Sequence, residues 1–148
     1  MKGPTYYREG GCQTSFVGRH YSVTEELTDW IRNNINDQFN DIGLRITDGD
    51  RTKSNSIAHT DLTRSYTLLY NLDNADGHIN IWQEKGSPLI INTPGYVVKD
   101  YRRLEMIEQI KTPNHVWYLL NSRILHSVEN TTRSRINIQI GFDSDPLL

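Results

Sequence analysis

The chain has 148 residues, 36% of them hydrophobic, a formal net charge of −2 and a mean hydropathy of −0.63. That length supports one modest core, and the charge weighs against nucleic acid or an anionic membrane surface as partner. No apolar run approaches the roughly 18 residues of a membrane span, the N-terminal MKGPTYYREGGCQT lacks the apolar stretch of a secretory signal, and Cys12 is the single cysteine, which excludes an internal disulfide and points to a reducing, cytoplasmic setting.

The first regular element is a helix. From Ser22 to Phe39 the apolar residues Val23, Leu27, Trp30, Ile31, Ile35 and Phe39 recur at steps of three and four, the period of one helical face. Ser22 followed by Glu25 has the form of a capping box, and Gly43 is expected to close the helix or the turn after it. Downstream the pattern changes to strand and turn. Ser65–Leu72 is aromatic and aliphatic and ends in the turn cluster Asp73-Asn74-Ala75-Asp76-Gly77. His78–Trp82 alternates, Leu89–Ile91 is a short apolar run, and Tyr101–Ile110 reads either as a short helix or as an irregular excursion. Val116–Leu120, Ile124–Val128 and Arg135–Phe142 complete the set. One helix followed by seven or eight short strands predicts a mainly β antiparallel sandwich or jelly roll with the helix packed outside it.

The last strand divides its residues cleanly. Ile136, Ile138, Ile140 and Phe142 fall on one face, with Arg135, Asn137, Gln139 and Gly141 on the other. Two arrangements satisfy that pattern. In one, an apolar face meets the core and a polar face meets water. In the other, the apolar face lies under the helix and the polar face points into a barrel that holds a charged ligand.

Three residues carry metal-binding chemistry. His59 and Asp61 are separated by one residue, so on an extended chain both project from the same face. His126 lies among the apolar strand residues Ile124, Leu125 and Val128. Two imidazoles and one carboxylate form a facial set that leaves metal positions open, the arrangement suited to non-haem Fe(II). Arg135 follows His126 by nine residues and could take a carboxylate through two parallel charge-assisted hydrogen bonds. Arg133 competes for that role, but Asn137 and Gln139 share the face of Arg135.

In combination these motifs resemble the double-stranded β-helix core of the Fe(II)/2-oxoglutarate-dependent oxygenases, in particular the prolyl-hydroxylase-like branch. HTD at 59–61 is similar to that family's His-x-Asp. YNLDNADGH at 70–78 is similar to its strand-and-turn segment, with His78 where a glycine is common. RILHSVENTTRSRINIQIGF at 123–142 is similar to its distal histidine, turn and arginine strand, with Asn137 in the place of a serine. The likeness covers residues 59–142, and the helix is similar to those that buttress this barrel.

The resemblance implies a cupin-like jelly roll in a single domain spanning residues 1–148, with a helical part at 22–40 and a barrel core at 55–143. It implies iron ligands His59, Asp61 and His126, and 2-oxoglutarate held by Arg135 with Asn137 and Tyr70. The activity implied is a dioxygenase that hydroxylates a small-molecule or peptidyl substrate and releases succinate and CO2. Residues 99–114 would form a loop that shapes the substrate site, and exposed edge strands would allow a homodimer. Two other readings stay open: a cupin-type metal enzyme that does not use 2-oxoglutarate, and a non-catalytic jelly-roll module.

Overall fold

The alternation of the C-terminal segment becomes a strand with the bounds expected of it, Arg135–Phe142, at the centre of a six-stranded sheet. The structure is a computed structural model that describes residues 4–6, 17–47, 57–129 and 134–148. Cys12 and Arg133 lie outside the described residues. In chain order the elements are β1 (Pro4–Tyr6), β2 (Val17–Tyr21), α1 (Glu25–Asn34), β3 (Phe39–Thr47), β4 (Ala58–His59), β5 (Tyr66–Asp73) and β6 (His78–Glu84). There follow β7 (Val97–Val98), a 3-10 turn at Tyr101–Arg103, β8 (Leu104–Lys111), β9 (Trp117–Asn121), β10 (Leu125–Glu129) and β11 (Arg135–Phe142).

The strands form two antiparallel sheets, ordered β1-β2-β3-β11-β5-β9 and β7-β4-β10-β6-β8. Their pairing is nested: β6 with β8, β5 with β9, β4 with β10, and β3 with β11. A single long hairpin bent at β6–β8 and wound so that successive strands alternate between sheets gives this order. The fold is therefore a double-stranded β-helix, or jelly roll, with one helix outside it. Among the described residues, no helix is long and apolar enough to cross a membrane.

Three apolar layers hold the sheets in place. Ile31 of α1 packs with Leu68, Ile140 and Phe142 on the outer face of the large sheet, and Leu27, Ile35, Phe39, Ile42 and Ile138 extend the contact. Leu69, Ile79 and Ile81 pack between the sheets with Tyr118, Leu120 and Val128. Ala58, Trp82, Val98, Leu104 and Leu125 form a third cluster with Ile91 and Tyr96. The apolar face of β11 thus lies under the helix and its polar face looks inward, the second of the two arrangements its pattern allowed.

Several expectations need correcting. The helix is shorter than its apolar period. It begins at Thr24, whose Oγ1 accepts from the Leu27 N–H (3.3 Å), so Thr24 and not Ser22 is the cap. It ends before Ile35, where Asn34 and Asn36 divert to local bonds: Asn34 Nδ2 donates to the Trp30 carbonyl (2.8 Å), and Asn36 Oδ1 accepts from the Gln38 N–H (2.7 Å). Ile35 and Phe39 keep their place on the apolar layer without being helical. Gly43 does not end the helix. It lies inside β3, so barrel strands begin well before residue 55. Residues 99–114 are not a loop at the site. They hold the 3-10 turn and β8, an edge strand paired along its length with β6.

Candidate metal centre

β4 and β10 are antiparallel neighbours in which His59 and His126 are direct Cα partners. Paired residues point to the same side of a sheet, so both rings enter the barrel, with centroids 4.5 Å apart. Asp61 follows on the same side. Thr60 between them points the other way, its Oγ1 donating to the Thr93 carbonyl (2.7 Å) and accepting from the Tyr96 N–H (2.9 Å). The Asp61 backbone is tied on three sides: its N–H donates to the Ser122 carbonyl (3.1 Å), and its carbonyl accepts from the Gly95 N–H (3.2 Å) and from the Arg123 guanidinium.

Hydrogen bonds fix the protonation pattern of the rings. His59 Nδ1 lies 2.6 Å from the Ile57 carbonyl and His126 Nδ1 lies 2.8 Å from the Ile124 carbonyl. A carbonyl can only accept, so each Nδ1 carries a proton. In the neutral ring, each Nε2 then presents a lone pair. Those two nitrogens lie 3.5 and 3.3 Å from Asp61 Oδ1, and the three donor atoms fall within 4.8 Å of one another. Cis ligands with metal bonds of about 2.1 Å stand about 3 Å apart. Lone pairs converging on a shared point call for a cation between them, so the three residues fit a metal ion and can hold one.

The rest of the site steadies Asp61. Its Oδ2 accepts from Arg64 Nε (3.0 Å) and Thr67 Oγ1 (3.1 Å), and Thr67 in turn accepts from Ser122 Oγ (2.7 Å). Burial by itself would raise the Asp61 carboxyl, but Arg64 and the two histidines outweigh it and hold the group well below its ordinary value of 3.8. Arg64 is anchored by donating to Gln139 Oε1 (2.8 Å). Arg64→Gln is expected to loosen the carboxylate and weaken metal binding by about 10- to 100-fold, the usual effect of losing a group that orients a ligand. Competition against a chromogenic chelator measures it.

Gly141 leaves room for that arginine. A Cβ built there would lie 2.9 Å from Arg64 Cδ, 2.7 Å from Asn40 Oδ1 and 2.3 Å from Asp41 Oδ1. Gly141→Ala is therefore expected to cost about 1–3 kcal/mol of stability through overpacking and to weaken metal binding by displacing Arg64. Thermal unfolding and the same competition titration read the two effects.

The three ligand residues line one cavity of about 580 Å³, its open mouth included, together with Arg45, Thr47, Arg64, Thr67, Arg135 and Gln139. Leu69, Ile79, Leu120 and Val128 form its apolar wall. Arg135 is 6% exposed, beside the Tyr118 hydroxyl, and burial lowers its guanidinium from the ordinary value. Burial also lowers Arg45 to about 9, reinforced by the charges of Arg64 and Arg135 and opposed by Asp61. Asn137 is fully buried on the inner face between them, and neither of its amide atoms has a hydrogen-bond partner among the described residues. An unsatisfied buried polar group costs about 1–3 kcal/mol.

The structure brings together His59, Asp61, His126 and Arg135, with Asn137 adjoining. It does not bring Tyr70 to them. In β5, Thr67, Leu69 and Asn71 face inward, whereas Tyr70 is paired with Ile138 on the outer face and packs on His115 and Trp117, with centroids 6.1 and 4.9 Å away. The expected contact between Tyr70 and a ligand in the barrel is thus excluded by strand parity. His78 also does not line the cavity. It alternates with Ile79, whose side chain does. Arg45, Arg64 and Thr67 were not singled out in the sequence, and Gln139 was noted only as sharing the face of Arg135. The signal for Arg45 was the alternation of Ile42, Leu44 and Ile46 with Gly43, Arg45 and Thr47.

No protein-family model matches the chain, and no curated protein matches it. Among solved structures, a cupin-like protein from Thermotoga maritima is similar over 97% of this chain and 80% of its own, with 9% sequence identity and a TM-score of 0.43. The fold assignment rests on the nested strand order.

Proposed function

We propose that the protein is an Fe(II)- and 2-oxoglutarate-dependent oxygenase that hydroxylates a small-molecule or peptidyl substrate. The observation that carries this reading is the conjunction, in one cavity, of a two-histidine, one-carboxylate donor set with the buried Arg135 on the last strand. A donor set with open positions suits Fe(II), and a buried arginine suits a carboxylate. A metal enzyme working without a dicarboxylate has no particular need of that arginine.

When bound, the iron supplies redox chemistry that couples oxidative decarboxylation of 2-oxoglutarate to oxygen insertion, yielding succinate and CO2. The chain's residues set the stage for it. The Ile57 and Ile124 carbonyls hold the Nδ1 protons of His59 and His126 and so leave each Nε2 to face the site. Asp61 supplies one negative charge, kept ionised by Arg64. Arg135, lining the same cavity as the triad, would hold the far carboxylate. The wall of Leu69, Ile79, Leu120 and Val128 excludes water and strengthens each of these electrostatic contacts.

In air, the Fe(II)-loaded protein is expected to release succinate slowly from 2-oxoglutarate even without a prime substrate. Arg135→Ala is expected to raise the half-saturating concentration by about tenfold or more. Protein that binds Fe(II) but neither binds nor consumes 2-oxoglutarate would overturn the proposal in favour of a cupin-type metal site. Protein that binds no metal would leave a non-catalytic module.

A further inference from the structure

Arg45 enters the same cavity from a different strand. It belongs to β3, where it is the Cα partner of Asn137, while Arg135 is the partner of Thr47. Arg45 and Arg135 are therefore diagonal neighbours on the inner face of the β3–β11 pair, a separation that long side chains bridge. Both are 6% exposed and both line the cavity. Asp61 is the one carboxylate among the described lining residues, and Arg64 already bonds to it.

Unused hydrogen-bonding capacity is concentrated at this point. Arg135 Nε and both amide atoms of Asn137 are buried with no partner among the described residues. Buried polar atoms are ordinarily satisfied, and a local group of orphans marks the place of a missing polar partner. Two of the three orphans, Arg135 Nε and Asn137 Nδ2, are donors beside two guanidinium groups, and an acceptor with negative charge would satisfy both.

We propose that Arg45 is a second anion-binding residue, sharing with Arg135 and Asn137 the distal carboxylate of the dicarboxylate cosubstrate. The assignment rests on the reading of the site as a 2-oxoglutarate site. It adds that the carboxylate is gripped from two strands, so selection for a dicarboxylate over a monocarboxylate keto acid is divided between β3 and β11. Arg45 thereby acts on specificity and leaves the metal-chelating end of the cosubstrate untouched.

The test compares two ligands that share the chelating end and differ in the distal carboxylate. Anaerobic calorimetry on Fe(II)-loaded protein measures binding of 2-oxoglutarate and of 2-oxobutyrate to wild type, Arg45→Gln and Arg45→Lys. Loss of one charge-assisted contact is expected to weaken 2-oxoglutarate by about 10- to 100-fold in Arg45→Gln. A smaller weakening is expected in Arg45→Lys, which keeps the charge and loses the planar fork. 2-Oxobutyrate affinity should be the same in all three proteins. Melting temperatures identify folded variants, and if Arg45→Gln does not fold, the Arg45→Lys comparison decides. Equal weakening of both ligands, or unchanged affinity for 2-oxoglutarate, overturns the role of Arg45 alone. A wild type that binds Fe(II) but not 2-oxoglutarate overturns this inference together with the function it rests on.

Discussion

Replacing His126 by alanine is expected to abolish stoichiometric Fe(II) binding, with affinity falling by at least about 100-fold. Two donors, His59 Nε2 and Asp61 Oδ1, would remain where three now converge, and even groups that only orient a ligand are worth 10- to 100-fold. Strand β10 keeps its backbone pairing with β4 and β6, so the variant should fold and the loss should be confined to the site. Chelator competition with metal-free wild type as reference measures it. Acidification should release the metal in the same way, because protonated imidazole cannot ligate. Asp61 is not the trigger for that release, since Arg64 and the histidines keep it ionised below its ordinary range. Its own stabilising contribution is present above the unfolded value near 3.8 and is lost only as pH falls through the lower folded value. Unchanged Fe(II) affinity in His126→Ala would contradict the donor assignment.

The second large effect separates the scaffold from the site. Phe142 is 1% exposed and packs with Ile31, Leu68 and Ile140 where the helix meets the large sheet. Phe142→Ala removes a full ring from that layer and is expected to cost about 3–5 kcal/mol, from lost burial and the cavity left behind. The end of β11 also receives the Ser65 N–H on the Phe142 carbonyl (2.9 Å), a backbone contact that alanine retains. Urea unfolding should therefore show a much lower midpoint, while Fe(II) affinity measured well below the melting temperature stays near wild type. A loss of metal affinity comparable to that of His126→Ala would mean that the helix layer and the barrel interior are not the independent layers described.

Much of this was legible because strand alternation and metal geometry are local. Arg135–Phe142 declared both its faces in eight residues, but the alternation left open whether Arg135, Asn137 and Gln139 met water or a barrel interior, which the helix layer over Ile138, Ile140 and Phe142 decides. His59 and Asp61 needed only an extended backbone to point together. Other features depended on pairing. Tyr70 was misplaced because register, which decides whether Tyr70 or Asn71 faces the barrel, is set by β11 and not by the sequence of β5. β3 was hidden because Phe39 continues the helical spacing while Asn40, Asp41 and Gly43 are poor strand formers. β8, with the sequence LEMIEQIK, is rich in residues that favour helices. It is held extended by its ladder to β6, a case of tertiary pairing overriding propensity. β4 and β7 have two residues each, too few to show any period.

The visible spectrum of anaerobic protein carrying one equivalent of Fe(II) and titrated with 2-oxoglutarate reads metal and cosubstrate binding together. Chelation of a facial-triad iron by the keto acid should give a weak, broad charge-transfer band. The band should saturate at one equivalent of 2-oxoglutarate, require both components, and be absent in His126→Ala. Wild-type protein that holds Fe(II) yet develops no band at saturating 2-oxoglutarate would contradict the reading of this cavity as an Fe(II)/2-oxoglutarate site.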